Sequence, residues 1–399
     1  MSGNIDVVVV GGGYAGVMAA DRLTQCTDVT VTLINPRPTF VDRIRLHQFV
    51  GGTHDAVADY RKVLAEGVRL VVDTVTEIDA AGRGVTLAGG DTVGYDYLVY
   101  AVGSGSADQG VPGAADFAHP IAGLEEARRL RSALDAAPAE APVTVVGAGA
   151  TGIETAAELA EQGRRVTLVC GGPLGPSLHP RGRRSVARRL TALGVRVLDG
   201  PDTKVTTVTR DAVRLADGRE VPSAVTIWTA GFGVPDLAVR SGLRTDALGR
   251  LLTDETLTSV DDARIVAAGD SAAPSDLPFR MSCQAAVQLG PQAAETVLSR
   301  IAGERPASID VGFVAQCLSL GRHGGVFQLT GRDDTAKKYY IGGRAAAKIK
   351  EFICRGIPWQ LSYEARKPGA RTWWSKDAKR RQRLEARIDQ ERATAKRAA

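Results

Sequence analysis

"VTVVGAGATGIETAAELAEQGRRVTLVCGG" (residues 143–172) reads as a strand, a glycine turn, a helix and a second strand, its turn spaced Gly147-x-Gly149-x-x-Gly152. The same grammar opens the chain in "DVVVVGGGYAGVMAADRL" (residues 6–23), with Gly11-x-Gly13-x-x-Gly16. A lone turn of this spacing is a weak signal. Here each copy follows a β-branched run (7–10, 143–146), opens a helical pattern, and leads to another strand at 29–34 or 166–169. In such a unit the first glycine permits the tight turn and the second admits a pyrophosphate to the backbone. The third lets helix pack on strand, and the helix N-terminus offers free N–H groups and partial positive charge. Two copies in one chain predict an α/β protein with two Rossmann-like units, and two dinucleotides that face each other.

A third element supports the pair: "ARIVAAGDSA" (263–272) is a short strand pattern ending in Gly269-Asp270. With the strand-then-glycine stretches "YDYLVYAVGS" (95–104, Gly103) and "AVTIWTAGF" (224–232, Gly231), the order of motifs resembles the two-dinucleotide flavoproteins that use pyridine nucleotides. The resemblance runs from residue 5 to about residue 330. It implies that Gly11, Gly13, Tyr14, Ala15 and Gly16 hold FAD, that Asp270 bonds its ribityl chain, and that Gly147, Gly149 and Gly152 hold NADH or NADPH. It also implies a discontinuous FAD domain, 1–115 and 250–325, with the NAD(P)H domain, 116–249, inserted and a basic segment, 326–399, appended.

Many members of that superfamily relay electrons through a cysteine pair beyond the second strand. The corresponding stretch, "NPRPTFVDRIRLHQFVGG" (35–52), has no cysteine, so reduction of the acceptor is expected directly at the flavin. Arg43 and His47 fall in the part expected over the isoalloxazine, His47 either as a tuning or protonating group or as a structural hydrogen-bonder. The stretch "MSCQAAVQLGPQAAETVL" (281–298) predicts a helix whose start approaches the flavin. Its Gln284, Ala286 and Gln288 resemble the A-Q-x-A-x-Q motif of type II NADH:quinone oxidoreductases, although Ser282-Cys283 and Leu289 depart from it. A glutamine offers a donor and an acceptor to a quinone carbonyl without adding charge. Glu154, two residues past the last glycine of the second turn, is implied near the nicotinamide and flavin; stabilisation by the helix dipole is the plainer reading. Cys170 stands where an acid selective for NADH usually ends the second strand, with Arg181, Arg183 and Arg184 soon after. Asn35 holds the matching FAD-side place. This leaves the choice between NADH and NADPH open.

The overall composition is that of a globular protein, with 44% hydrophobic and 24% charged residues among 399. No run reaches the roughly 18 apolar residues of a membrane span, and the start lacks the basic region of a signal peptide. Five scattered cysteines, never spaced C-x-x-C, point to a reducing cytoplasmic setting and away from a structural zinc site. Charge is split: residues 341–399 hold 16 Lys and Arg against 6 Asp and Glu, a balance of +10, so the first 340 residues carry −5 of the net +5. Trp359, Trp373 and Trp374 lie in this basic tail. They suggest peripheral contact with an anionic membrane, as in type II NADH dehydrogenases and ferroptosis-suppressor reductases. A solvated or homodimer-contacting helix is the alternative, and nucleic acid lacks any recognition motif. No cofactor motif lies beyond Arg355, so the tail is expected to be dispensable for flavin chemistry. The function expected is transfer from NAD(P)H through FAD to a quinone-like acceptor. The rivals are a soluble flavin reductase, oxidase or biosynthetic oxidoreductase, and a redox sensor resembling apoptosis-inducing factor.

Overall fold

Four consecutive valines, Val7 to Val10, are at most 4% exposed, as a parallel strand covered on both faces requires. The computed structural model describes residues 4–107, 109–370, 375–387 and 389. In it that strand, Ile5–Val10, lies third in a five-stranded parallel sheet ordered Ile265–Ala267, Tyr97–Tyr100, Ile5–Val10, Val29–Asn35, Val68–Val72. The second turn builds the same plan. Pro142–Val146 is third in the order Ala118–Pro120, Val225–Trp228, Pro142–Val146, Arg165–Val169, Arg196–Leu198, again all parallel. Each sheet carries a three-stranded antiparallel meander, at 75–94 and at 205–222, so the internal repeat reaches further than the glycine turns.

The first sheet takes its edge strand from residues 265–267, after the whole second sheet has been completed. Helices Tyr14–Leu23 and Cys283–Ile301 pack together on it, close enough that a Cβ on Gly290 would lie 2.3 Å from the Ala15 carbonyl oxygen. The two connecting segments meet as an antiparallel pair, Gly105–Ser106 against Phe232–Gly233, and so tie one unit to the other.

Beyond residue 310 the fold departs from a simple basic tail. Ala315–Ser319, Gly325–Thr330 and Ala336–Gly342 form an antiparallel sheet, and the chain turns directly into the 24-residue helix Gly343–Arg366. This helix buries Ala346, Lys350, Cys354, Ile357, Leu361 and Glu364, a stripe at spacings of three and four. Glu364 is fully buried and pairs with Arg22, which also reaches Glu295 at 2.8 Å, so the helix is bonded into the first unit. The expectation of a dispensable tail is thereby corrected: Ile357 and Leu361 belong to the first unit's core. Most of the described residues past 376 are exposed, as in a solvated helix, but the segment is pinned at Arg380. Arg380 is 4% exposed, bonds Glu255 at 2.8 Å and lies 4.4 Å over the Phe279 ring. Trp373 and Trp374 lie outside the described residues. Among the described residues, no helix is long and apolar enough to cross a membrane.

Candidate active site

The two turns match glycine for glycine in what they block and what they leave open. Gly11 has φ +105°, and a Cβ there would lie 2.4 Å from the Ala101 oxygen; at Gly16 it would lie 1.8 Å from the Gly11 oxygen. In the second turn Gly147 has φ +112° with Thr229 Oγ1 at 2.6 Å, and a Cβ on Gly152 would sit 1.9 Å from the Gly147 oxygen. A Cβ on Gly13 or Gly149 would meet nothing within 4 Å. Both turns therefore have a hard wall at the first and third glycines and free space at the second, the shape a pyrophosphate needs. Tyr14 and Ala15 open the first helix, and Ala15 abuts Gly269. Asn35 accepts from Gly12 N at 3.0 Å and donates to the Arg37 carbonyl at 2.8 Å, so its amide braces the turn from behind.

Asp270 lies at the first unit's edge, where it accepts from Ser104 Oγ at 2.7 Å and from Ser282 N at 3.0 Å. Arg43 donates to Ser104 Oγ at 3.2 Å and to the Ala122 carbonyl at 3.0 Å, and stands 4.0 Å from Asp270. Gly103 packs next to this arginine, 3.7 Å from its Nη1 to a built Cβ. Tyr14 donates to Asp42 at 2.5 Å. Gly103, Arg43 and Asp270 thus come together, with Ser104, which sequence reasoning missed, as the hydroxyl joining them.

Tyr14, Arg43, Ser104 and Asp270 border a cavity of about 480 Å³ between the two units. Its second-unit wall carries Ala150, Thr151, Glu154 and Gly231; its far wall carries Gln284, Gln288, Leu318, Ile353 and Ile357. At its floor lies a buried polar cluster. Glu154 accepts from Ser319 N at 2.8 Å and pairs with Lys350 Nζ at 3.1 Å, and His47 Nδ1 stands 3.9 Å away. Ser319 Oγ and His47 Nε2 are 3.0 Å apart. Burial pushes Glu154 up, but Lys350, His47 and the Ser319 N–H together hold it below the usual carboxylate range. For Lys350 burial acts downward, and Glu154 more than offsets it, so the ammonium stays charged. Burial takes His47 down to about 4, so it is neutral near pH 7. Cys283 borders the same cavity, its thiol pushed up to about 12 by burial.

The two glutamines reach the cavity wall, yet their amides bond to the protein itself. Gln288 Nε2 donates to the Gln284 carbonyl at 2.8 Å, and its Oε1 accepts from Ser375 N at 3.1 Å. Gln284, oriented by its neighbours, donates to the Ala315 carbonyl and accepts from Val314 N, both at 3.1 Å. They seat the 312–315 and 375 segments. Lys350 was missed because it stood in a basic tail; its place between Ala346 and Cys354 on the apolar stripe was the available signal.

The family described as pyridine nucleotide-disulphide oxidoreductase matches residues 5–295. An NADH dehydrogenase-like protein of Mycobacterium tuberculosis is 31% identical over 352 residues, 80% of this chain and 87% of its own length. The type II NADH:quinone oxidoreductase of the same organism is 29% identical over 75% of this chain and 74% of its own. Among solved structures, a sulfide:quinone oxidoreductase from Aquifex aeolicus shares the fold, with a TM-score of 0.77 at 19% identity, covering 90% of this chain and 92% of that one.

Proposed function

The chain belongs to the pyridine nucleotide-disulphide oxidoreductase family, and from that membership we infer that it is an FAD-dependent oxidoreductase passing electrons from NADH to a quinone-like acceptor. The observation that carries this reading is the single cavity bordered at once by Tyr14 and Asp270, by Ala150 and Glu154, and by the apolar residues Leu318, Ile353 and Ile357. When bound, FAD and the nicotinamide supply hydride transfer and the onward passage of two electrons.

The protein's own residues hold and orient. Gly13 and Gly149 leave room for the pyrophosphates, while Asp270, Ser104 and Arg43 form a polar strip for the flavin's chain. An acceptor that becomes a hydroquinone takes up two protons with its electrons. Lys350 is placed to donate a hydrogen bond to an acceptor carbonyl, and Glu154 keeps the ammonium charged without a full charge imbalance at the cavity floor. Neutral His47 fixes Ser319, which in turn orients Glu154. Gln284 and Gln288 act one step back, as the residues that fix the far wall. We divide the chain as 1–115 with 250–325 for FAD, 116–249 for the nicotinamide, and 326–399 as a basic C-terminal segment whose Ile353 and Ile357 help to border the acceptor side.

The same helix that supplies Lys350, Ile353 and Ile357 turns Phe352, 77% exposed, and Trp359, 59% exposed, outward beside Arg344, Lys348 and Arg355. That face suits an anionic membrane surface, from which a lipid-soluble acceptor would enter. Stopped-flow spectroscopy tests the reading. NADH should bleach the flavin, and a short-chain quinone should restore its colour faster than oxygen does. Fast reoxidation by oxygen with negligible response to quinone favours the soluble-oxidase rival.

A further inference from the structure

The strand after a dinucleotide turn usually ends in an acid that holds the adenosine ribose diol. Here it ends in Val169 followed by Cys170, Gly171 and Gly172. The missing carboxylate stands one strand over. Val169 pairs in parallel with Leu198, and Cys170 N donates to the Leu198 carbonyl at 2.8 Å, so Asp199 emerges at the same sheet edge beside Cys170. The two loops are bonded into one floor: Gly171 N donates to Thr203 Oγ1 at 3.1 Å, and Gly200 N to the Gly172 carbonyl at 2.9 Å. Above that floor is space, since a Cβ on Gly172 or Gly200 would meet nothing within 4 Å. Asp199 is exposed. Burial first, and Asp199 second, push the Cys170 thiol up to about 12, which leaves the thiol neutral next to the carboxylate. Arg181, Arg183 and Arg184 open a helix, Pro180–Ala192, that packs on the C-terminal sheet, where Gly182 abuts Gln328 and Val326, and through Val186 and Leu190 on the second unit's core. Exposed Lys204 adjoins the floor through its backbone, its Cα 3.6 Å from a Cβ built on Gly171.

We propose that Asp199 replaces the absent acid from the neighbouring strand, accepting hydrogen bonds from the adenosine ribose diol of NADH and repelling the 2′-phosphate of NADPH. This rests on the second glycine turn being the nicotinamide dinucleotide site. A carboxylate that gains charge-assisted hydrogen bonds from a diol, and faces a dianion when that diol is phosphorylated, discriminates by both terms.

The test uses holoprotein and calorimetric binding of ADP-ribose and 2′-phospho-ADP-ribose, which report on the adenosine end without turnover. The wild type should bind ADP-ribose at least about tenfold more tightly, and Asp199→Asn should bring the two within about threefold, with an unchanged melting temperature. An unchanged preference in Asp199→Asn, or equal weakening of both ligands, overturns the assignment. So does a wild-type preference for the phosphorylated ligand that is lost in Lys204→Ala. Gly149→Val separates the premise from the proposal. It should bind neither ligand; if it binds both like the wild type, the second turn is not the site and the proposal falls with it.

Discussion

Replacing Lys350 by methionine removes the ammonium and leaves Glu154 buried, 6% exposed, with the Ser319 donors and a neutral histidine 3.9 Å away. Breaking a buried pair by deleting one partner costs about 3–5 kcal/mol when the remaining charge persists. Protonation limits that cost. A carboxyl with an ordinary value of 4.5 takes up a proton at pH 7 for about 2.5 × 1.36, or roughly 3.4 kcal/mol, and at pH 5.5 for about 1.4 kcal/mol. In the wild type Glu154 is held below its usual range, so its contribution is present above pH 4.5 and is lost as pH falls through the lowered value. In Lys350→Met its folded value rises above 4.5, so the folded state binds the extra proton and stability falls as pH rises. Lys350 stays protonated in folded and unfolded chains throughout pH 5.5–8 and adds no slope there. The destabilisation measured by urea unfolding should therefore grow by about 1.4 kcal/mol per pH unit from pH 5.5 to the point where Glu154 ionises. Quinone-dependent reoxidation should slow in the same variant while flavin reduction by NADH is retained. A pH-independent difference between the two proteins would refute the pairing, because it would mean that Glu154 never changes its proton occupancy.

Gly13→Val should fold but purify without FAD, whereas Gly149→Val should stay yellow and lose the NADH-induced bleaching; absorbance at the flavin band reads both. Truncation after Arg355 removes Ile357 and Leu361, each worth about 1.5–3 kcal/mol, and leaves Arg22 without Glu364. The loss rivals a total stability of about 5–15 kcal/mol, so the shortened chain should be insoluble or flavin-free; a yellow, cooperatively melting product would contradict the packing described. Anionic vesicles should sediment the full chain at low salt, and Phe352→Ser with Trp359→Ser should weaken this at least about fivefold while ferricyanide reduction persists. Equal sedimentation of the variant would remove that face from membrane contact.

What the sequence disclosed and what it hid follow from range. Gly11, Gly16, Gly147 and Gly152 answer to backbone walls within their own strand–turn–helix unit or its neighbouring crossover, so spacing alone exposes them. The repeat of the sheets follows from the same local grammar. Lys350 answers to Glu154, which lies 196 positions earlier and in the other nucleotide unit. In "AAAKIKEF" nothing local separates the buried Lys350 from the exposed Lys348, except that only Lys350 keeps step with Ala346, Cys354 and Ile357. Gln284 and Gln288 were legible as cavity residues through a motif. Their bonds to Val314, Ala315 and Ser375 were not, because those segments carry no pattern of their own.

The late edge strand also sets an order of assembly. A chain synthesised from its N-terminus has the entire second sheet, Ala118–Pro120 to Val225–Trp228, at hand once residue 228 has emerged. The first sheet, begun earlier, stays open at one edge until residues 265–267 arrive, and the fully buried Glu364 reaches Arg22 only near the end of synthesis. Domains generally fold as units, earlier ones first; here the inserted unit overtakes the one that encloses it. The first sheet and its Arg22–Glu364 tie can thus be completed only after every strand of the second sheet is available.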